Sequence, residues 1–309
     1  MTPSISGHTA LAGVLGNPVH HSLSPAMHNA ALAELGLDWV YLAMPAAADQ
    51  LEAVLRGLEA VDCRGLNVTL PHKQAVAGLC RTLSPLAERL GAVNTLVRHP
   101  QGGWRGDNTD VAGFLAPLRA GGRDWQGKRA VVLGCGGSAR AVVAALVELG
   151  CGSIEVAGRN AAKQQALLAS CRSWAPQVEA LTWQPQSTQP CQSTGLESAL
   201  AEARLVVNTT PVGMASASDP GAAGRCPLSP VELEALPPQS CVYDLIYTPR
   251  PTALLAAAAA RGCEALDGLE MLVQQGAAAL RQWSGIEVVP VAAMRAAALA
   301  QLSPPGTGP

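Results

Sequence analysis

The stretch Lys128-Arg-Ala-Val-Val-Leu-Gly-Cys-Gly-Gly-Ser-Ala-Arg140 limits what this chain can fold into more than any other. Four apolar residues, Ala130-Val-Val-Leu133, run straight into Gly134, Cys135, Gly136 and Gly137. From Ser138 the pattern turns helical, with Ala141, Val142, Ala145, Leu146 and Leu149 on one face and a stop at Gly150. Strand, glycine turn and helix make the first half of a βαβ unit, reading Gly134-x-Gly136-x-x-Ala139. A glycine turn lets the backbone approach a pyrophosphate, and the helix N-terminus behind it offers unpaired N–H groups and a positive dipole end. A dinucleotide-binding α/β domain is expected here.

At 309 residues the chain has room for roughly two domains. The formal charge is −2 and no basic run exists, so nucleic acid is not an expected partner. The first residues lack a charged region followed by an apolar stretch, so no signal peptide is expected. The longest apolar run, residues 253–260, is far below the ~20 residues of a membrane helix. Nine cysteines are scattered without a C-x-x-C pair, which argues for reduced thiols and a cytoplasmic address. His20, His21 and His28 cluster in sequence but lack metal-ligand spacing, so no metal is expected.

Residues 11–15 read as a strand ending at Gly16-Asn-Pro18, and Ser24-Pro25 as a helix start with serine at the N-cap and proline first inside. Ser24 then has two readings: cap only, or, with Ser22, hydroxyls for a substrate carboxylate. A strand over 38–43 and a helix over 48–58 follow. In Gly65-Leu-Asn-Val-Thr-Leu-Pro-His-Lys73, alternation sends Leu66, Val68 and Leu70 one way and Asn67 and Thr69 the other. Pro71 is expected to open a helix with Lys73 in its first turn, an unfavourable place for a cation. A helix over 83–90, a strand carrying Asn94 and a turn at Gln101-Gly-Gly103 lead to a helix with Asp110 in its first turn. Gly121-Gly122 reads as a boundary.

Beyond the glycine turn, residues 153–157 form the next strand, ending at Gly158, Arg159 and Asn160. Glu155 lies inside that strand, whereas Arg159 follows it and Lys163 sits a helical turn later. Basic residues at this point accommodate a 2′-phosphate and select NADP. Residues 184–198 read as an irregular connection, 205–208 as a buried parallel strand, 216–227 as a small polar loop, and 241–247 as a further strand. An alanine-rich helix, a short strand at 263–266, two final helices and a tail at 303–309 complete the chain.

A dinucleotide beside polar groups suggests hydride transfer at a carbonyl, which needs a proton donor at the oxygen. No tyrosine has a lysine four residues on, and no histidine lies in the cofactor half, which leaves Lys73 and Asp110. A free lysine, with a pKa of about 10.4, is a poor base near neutrality. A helix N-terminus and burial would lower that value and Asp110 would raise it.

With these residues laid out, the chain resembles shikimate dehydrogenase over essentially its full length. Carrying the resemblance are Ser22-Leu-Ser-Pro25, Asn67-Val-Thr-Leu-Pro-His-Lys73, Gly91-Ala-Val-Asn-Thr95, Gly106-Asp-Asn-Thr-Asp110 and Gly134-Cys-Gly-Gly-Ser138. It continues in Asn208-Thr-Thr-Pro-Val-Gly-Met214, Asp244-Leu-Ile-Tyr247 and Asp267-Gly-Leu-Glu-Met-Leu-Val-Gln-Gln275. The resemblance implies NADPH-dependent reduction of 3-dehydroshikimate to shikimate in aromatic amino-acid biosynthesis. It implies Lys73 as acid/base paired with Asp110, and Ser22 and Ser24 on the substrate carboxylate. Asn67, Thr69, Asn94, Asp110, Tyr247 and Gln275 would hold ring hydroxyls or the lysine. Gly134, Cys135, Gly136, Gly137 and Ser138 would cradle the pyrophosphate, Gly158, Arg159, Asn160 and Lys163 the 2′-phosphate end, and Leu245 and Gly268 the nicotinamide. Asn160, Lys163, Gly158 and Glu270 depart from the family pattern, which would weaken the phosphate clamp at the first two.

The expected architecture is α/β throughout. A three-layer substrate domain spans residues 1–112 and is joined by helices in 267–309; a Rossmann-like doubly wound NADP domain spans 113–266. Monomer and homodimer both remain open. Two alternatives compete: a quinate/shikimate dehydrogenase with relaxed NAD(P) use, and a non-catalytic NADP-binding sensor.

Overall fold

A computed structural model describes residues 5–183, 195–215 and 219–302. From the N-terminus the elements are β1 (Ala10–Gly16), α1 (Ser24–Glu34), β2 (Trp39–Pro45), α2 (Leu51–Ala60), β3 (Gly65–Val68), β4 (Thr82–Leu83), α3 (Pro85–Leu90), β5 (Thr95–Arg98), β6 (Trp104–Asp107) and α4 (Asp110–Ala120). They continue with β7 (Arg129–Leu133), α5 (Gly137–Glu148), β8 (Ser153–Gly158), α6 (Ala161–Cys171), β9 (Val178–Thr182), α7 (Gly195–Glu202) and β10 (Leu205–Asn208). The last are α8 (Pro230–Glu234), β11 (Cys241–Asp244), α9 (Ala253–Ala260), β12 (Glu264–Leu266), α10 (Leu269–Ser284) and α11 (Val291–Leu302). The chain divides into two compact units, Met1–Ala116 with Glu270–Pro309, and Pro117–Leu269.

The first unit is built on a mixed sheet of order β2-β1-β3-β5-β6-β4. β1 runs parallel to β2 and β3, whereas β5 is antiparallel to both β3 and β6. The tight return between β5 and β6 uses Gly102 and Gly103, both at positive φ. Because alternate residues of a strand face opposite sides, β3 serves two layers. Leu66 and Val68 pack with Leu51 and Leu55 of α2 and Ala87 of α3. Gly65 faces the other way, where a Cβ would strike the indole of Trp283 on α10. The result is helix, sheet, helix, as the composition of the elements leads one to expect.

The second unit carries an all-parallel sheet of order β12-β11-β10-β7-β8-β9. The order reverses between β7 and β10, which is the switch point where doubly wound sheets bind ligands. Its central strands β7, β10 and β11 are buried, mostly apolar runs because helices cover both faces. Val131 and Leu133 on β7, Val206 on β10 and Val242 on β11 join Leu196 and Leu200 of α7 and Leu254 of α9 in one core.

Three local expectations need correction. Ser24 is not an N-cap: α1 starts at Ser24 itself, the capping position is Leu23, and Pro25 falls one place further in. Pro71 opens no α-helix. A 3₁₀ turn over Ala75–Leu79 follows instead, and the Lys73 carbonyl accepts from Val93 N rather than closing a helical turn. Leu70, past the end of β3, is 67% exposed instead of sharing the face of Leu66. Of the connection read at 184–198, residues 195–198 belong to α7, while 184–194 lie outside the described residues, as do 216–218 of the polar loop and the tail at 303–309.

Candidate active site

Lys73 and Asp110 meet. Nζ of Lys73 lies 2.6 Å from Oδ2 of Asp110, with side-chain exposures of 14% and 7%. Asp110 starts α4, and its N–H is taken by Oδ1 of Asn108 at 3.0 Å. Asn108 is itself anchored, through Nδ2, to the Ala92 carbonyl at 3.0 Å. The second oxygen of Asp110 accepts from Nδ2 of Asn94 at 2.8 Å. Asn94 also reaches Oε1 of Gln275 on α10 at 3.3 Å and, through Oδ1, accepts Thr109 N at 2.7 Å. Both ends of the carboxylate are thus held, one by the ammonium and one by a fixed amide, and the lysine head is held in one place by a charge-assisted bond.

Asn67, on β3, donates through Nδ2 to the Asn94 carbonyl at 3.3 Å and to Thr95 Oγ1 at 3.4 Å, and accepts the Tyr41 hydroxyl at 2.7 Å. Ser22 uses its Oγ to accept the Ser24 N–H at 3.2 Å, and Ser24 is buried. Thr69, half-buried, has its N–H on the Leu15 carbonyl and its methyl against Gly16. His72, beside Lys73, is buried with Nε2 at 2.8 Å from the Ala46 carbonyl and ties the turn to the end of β2. Within the first unit, then, Lys73, Asp110, Asn94, Gln275 and Asn67 form one connected polar cluster. His28 is buried while His20 and His21 are exposed, so the three do not converge; among the described residues no three His, Cys, Asp or Glu side chains form a metal-ligand set.

The second unit supplies the glycine turn at the end of β7. Gly134 adopts φ +108, and a Cβ there would sit 2.5 Å from Thr209 Oγ1, so only glycine fits. Gly136 caps α5 without a side-chain bond, which leaves the first N–H groups at Gly137 and Ser138 to an anion. Cys135 is half-buried in the same turn, and burial raises its thiol pKa. Past Gly158, Arg159 and Lys163 are exposed, and Asn160 caps α6 by accepting the Lys163 N–H at 2.9 Å. Glu155 is already paired with Arg129 Nη1 at 3.2 Å. Leu245 and Gly268 are brought together: Gly268 N bonds to the Ile246 carbonyl at 3.1 Å, and a Cβ on Gly268 would strike the Leu245 carbonyl. Tyr247 lies in this unit, and burial pushes its hydroxyl pKa up.

Several supporting groups escape a reading of the sequence alone. Tyr41, Thr95, Asn108 and Thr109 carry the cluster around Lys73. In the second unit Asp244 accepts from Asn208, Ile246 N and Thr252, and burial still raises its pKa above the usual carboxylate value. The available signal was the presence of polar side chains at strand ends, which need partners when buried.

Two family models match the chain: the shikimate dehydrogenase substrate binding domain over residues 14–96, and the shikimate 5′-dehydrogenase C-terminal domain over residues 268–299. Shikimate dehydrogenase (NADP(+)) of Synechococcus sp. (strain JA-3-3Ab) is 48% identical over 98% of each chain. The chain belongs to the shikimate dehydrogenase family. Among solved members, shikimate 5-dehydrogenase from Thermus thermophilus, in complex with NADP(H) and shikimate, is 37% identical, with a TM-score of 0.80 over 95% of this chain and 100% of that one. The family fold also includes quinate dehydrogenase from Corynebacterium glutamicum in complex with NAD, at 33% identity and a TM-score of 0.81 over 94% and 99%. No helix among the described residues is long and apolar enough to cross a membrane.

Proposed function

We propose that this chain is an NADP-dependent shikimate dehydrogenase that interconverts 3-dehydroshikimate and shikimate in aromatic amino-acid biosynthesis, working in the cytoplasm as a monomer or homodimer. The observation that carries the reading is the Lys73–Asp110 contact, braced by Asn94 and Gln275, in a chain of this family. Residues 1–112 with 267–309 serve the substrate and 113–266 the cofactor.

The glycine turn and the uncapped start of α5 fit a pyrophosphate, since the open space beside Gly136 and Gly137 and the free N–H groups suit an anion and close backbone approach. Gly134 to Ser138 would hold the pyrophosphate, Arg159 and Lys163 the 2′-phosphate, and Leu245 and Gly268 the nicotinamide end. Bound NADPH supplies the hydride. Reduction of the ketone then requires one proton at the carbonyl oxygen, and the Lys73 ammonium donates it; in the reverse direction the neutral amine takes it from the hydroxyl. Asp110 keeps the ammonium in place and balances its charge. Ser22 and Ser24 bind the substrate carboxylate, while Asn67, Thr69, Asn94, Tyr247 and Gln275 hold its hydroxyls.

NADPH oxidation with 3-dehydroshikimate, in the parent and in Lys73→Ala, tests this. The expected result is a fall of about 10²-fold or more in kcat with little change in KM, as for a group acting mainly in the transition state. An unchanged kcat would remove Lys73 from the role, and no turnover in the parent would favour a non-catalytic NADP-binding sensor. The family likeness to a quinate dehydrogenase with NAD motivates a second reading, relaxed substrate and cofactor use. Arg159 and Lys163 exposed past the end of β8, with Glu155 inside the strand and paired with Arg129, argue for NADP. Equal efficiency with NADH, or faster turnover of quinate than of shikimate, would reverse that.

A further inference from the structure

We propose that Tyr41 is a positioning residue of the substrate site: its hydroxyl fixes the Asn67 amide with the oxygen turned inward and the nitrogen presented to a substrate oxygen. This rests on the reading of Asn67 as a substrate contact.

An asparagine amide has nearly the same shape either way round, so its partners decide which end faces a ligand. Tyr41 sits on β2 and is fully buried, and its hydroxyl lies 2.7 Å from Oδ1 of Asn67 on β3. A phenolic O–H has one hydrogen to give, and giving it to Asn67 commits the amide oxygen to the protein. Nδ2 is left as the donor. Its contacts, to the Asn94 carbonyl at 3.3 Å and Thr95 Oγ1 at 3.4 Å, are long for N–H···O bonds, so the amide loses little by turning a hydrogen to a ligand oxygen.

The phenol cannot swing away. Its ring stacks on His28 at 4.0 Å with 7° between planes, and Trp283 packs beside both. His28 is held through Nδ1 on the Ser24 carbonyl at 2.9 Å, and Trp283 through Nε1 on the Leu96 carbonyl at 3.0 Å. Gly65 and Gly276 leave the room these rings need, since a Cβ at either would press on Trp283 or His28. Burial also holds the Tyr41 hydroxyl pKa well above that of an ordinary phenol, with the neighbouring Ser24 hydroxyl offsetting this only in part, so the donor keeps its proton. Tyr41 therefore couples the segment of Ser22 and Ser24 to that of Asn67.

Steady-state kinetics of the full chain with NADPH and 3-dehydroshikimate, with thermal unfolding alongside, test this in Tyr41→Phe, Asn67→Ala and the double variant. Tyr41→Phe should raise KM for 3-dehydroshikimate about five- to tenfold, the effect of one lost buried hydrogen bond, with kcat within about twofold. KM for NADPH should not move. In the Asn67→Ala background the tyrosine change should add nothing. Asn67→Asp, which still accepts from Tyr41 but has no donor to offer, should raise KM as Asn67→Ala does. A raised KM in Asn67→Ala with a normal one in Tyr41→Phe would overturn the proposal and leave the substrate role of Asn67 standing. A normal KM in Asn67→Ala would overturn both. An equal Tyr41→Phe effect with and without Asn67, or a lowered melting temperature with unchanged KM, would show that Tyr41 does not act through Asn67.

Discussion

At the scale of the residue, the site depends on buried polar groups held by one another, and burying such groups has a cost. His28 illustrates the cost. It is fully buried, and burial lowers its pKa from 6.5 to about 4, the backbone at Ser24 and Gly276 offsetting part of the effect. Between these values the unfolded chain binds the proton that the folded chain excludes, so stability is complete above about pH 6.5 and falls as pH drops towards 4. The amplitude is about 3 kcal/mol. Chemical denaturation across this window should show the fall, and His28→Phe, which keeps a ring against Tyr41 but cannot titrate, should flatten it. An unchanged slope would mean that other groups cause the acid sensitivity. That Lys73, Asp110, Asn67 and Asn94 are polar groups on or beside buried elements and need partners could be read from the sequence, their roles only through the family resemblance. Which partner each takes could not: Asn94 reaches Gln275 across 181 positions of chain.

At the scale of the element, helix ends are where sequence and structure agree or part. Ser84 caps α3 by accepting the Ala87 N–H and also donates to Asp107, which steadies the strand leading to Asp110. Ser229 and Glu232 form a reciprocal capping box on α8. Asn160, which departs from the family pattern after Arg159, has a local task as the cap of α6. Glu270, another departure, pairs with Arg295 of α11 through both carboxylate oxygens and bonds Gln274. Thr252 combines a cap with a core bond: it accepts Leu255 N on α9 and donates to Asp244 at 2.7 Å. Thr252→Ala should therefore cost about 2 kcal/mol, more than a cap alone, because a buried carboxylate also loses a donor. Urea unfolding measures it, and a loss under about 0.5 kcal/mol would mean that water replaces the hydroxyl. The helix expected after Pro71 failed for a tertiary reason. The Lys73 carbonyl is taken by Val93, and a local proline signal carries no information about that bond.

At the scale of the whole molecule, the first unit is discontinuous in sequence, since α10 and α11 return to it from the far end of the chain. Met294 of α11 is fully buried, and a Cβ at Gly276 on α10 would press on its terminal methyl. Met294→Ala should destabilise by about 2–5 kcal/mol through the cavity it leaves. Hydrogen exchange should locate the loss in α1, α10 and α11, with the amides of β7, β10 and β11 still protected; uniform loss across both sheets would refute a separate first unit. The sequence by itself determined the periodicities: the apolar strand into Gly134, the helix behind it, and the basic residues at Arg159 and Lys163. These are local, set by side-chain spacing along one element. Only the tertiary structure decided that Asp110 holds Lys73 through Oδ2 and Asn94 through Oδ1, that Tyr41 meets Asn67, and that Glu155 is occupied by Arg129. Those contacts join segments far apart along the chain, and their geometry exists only once the sheets bring the strand ends side by side.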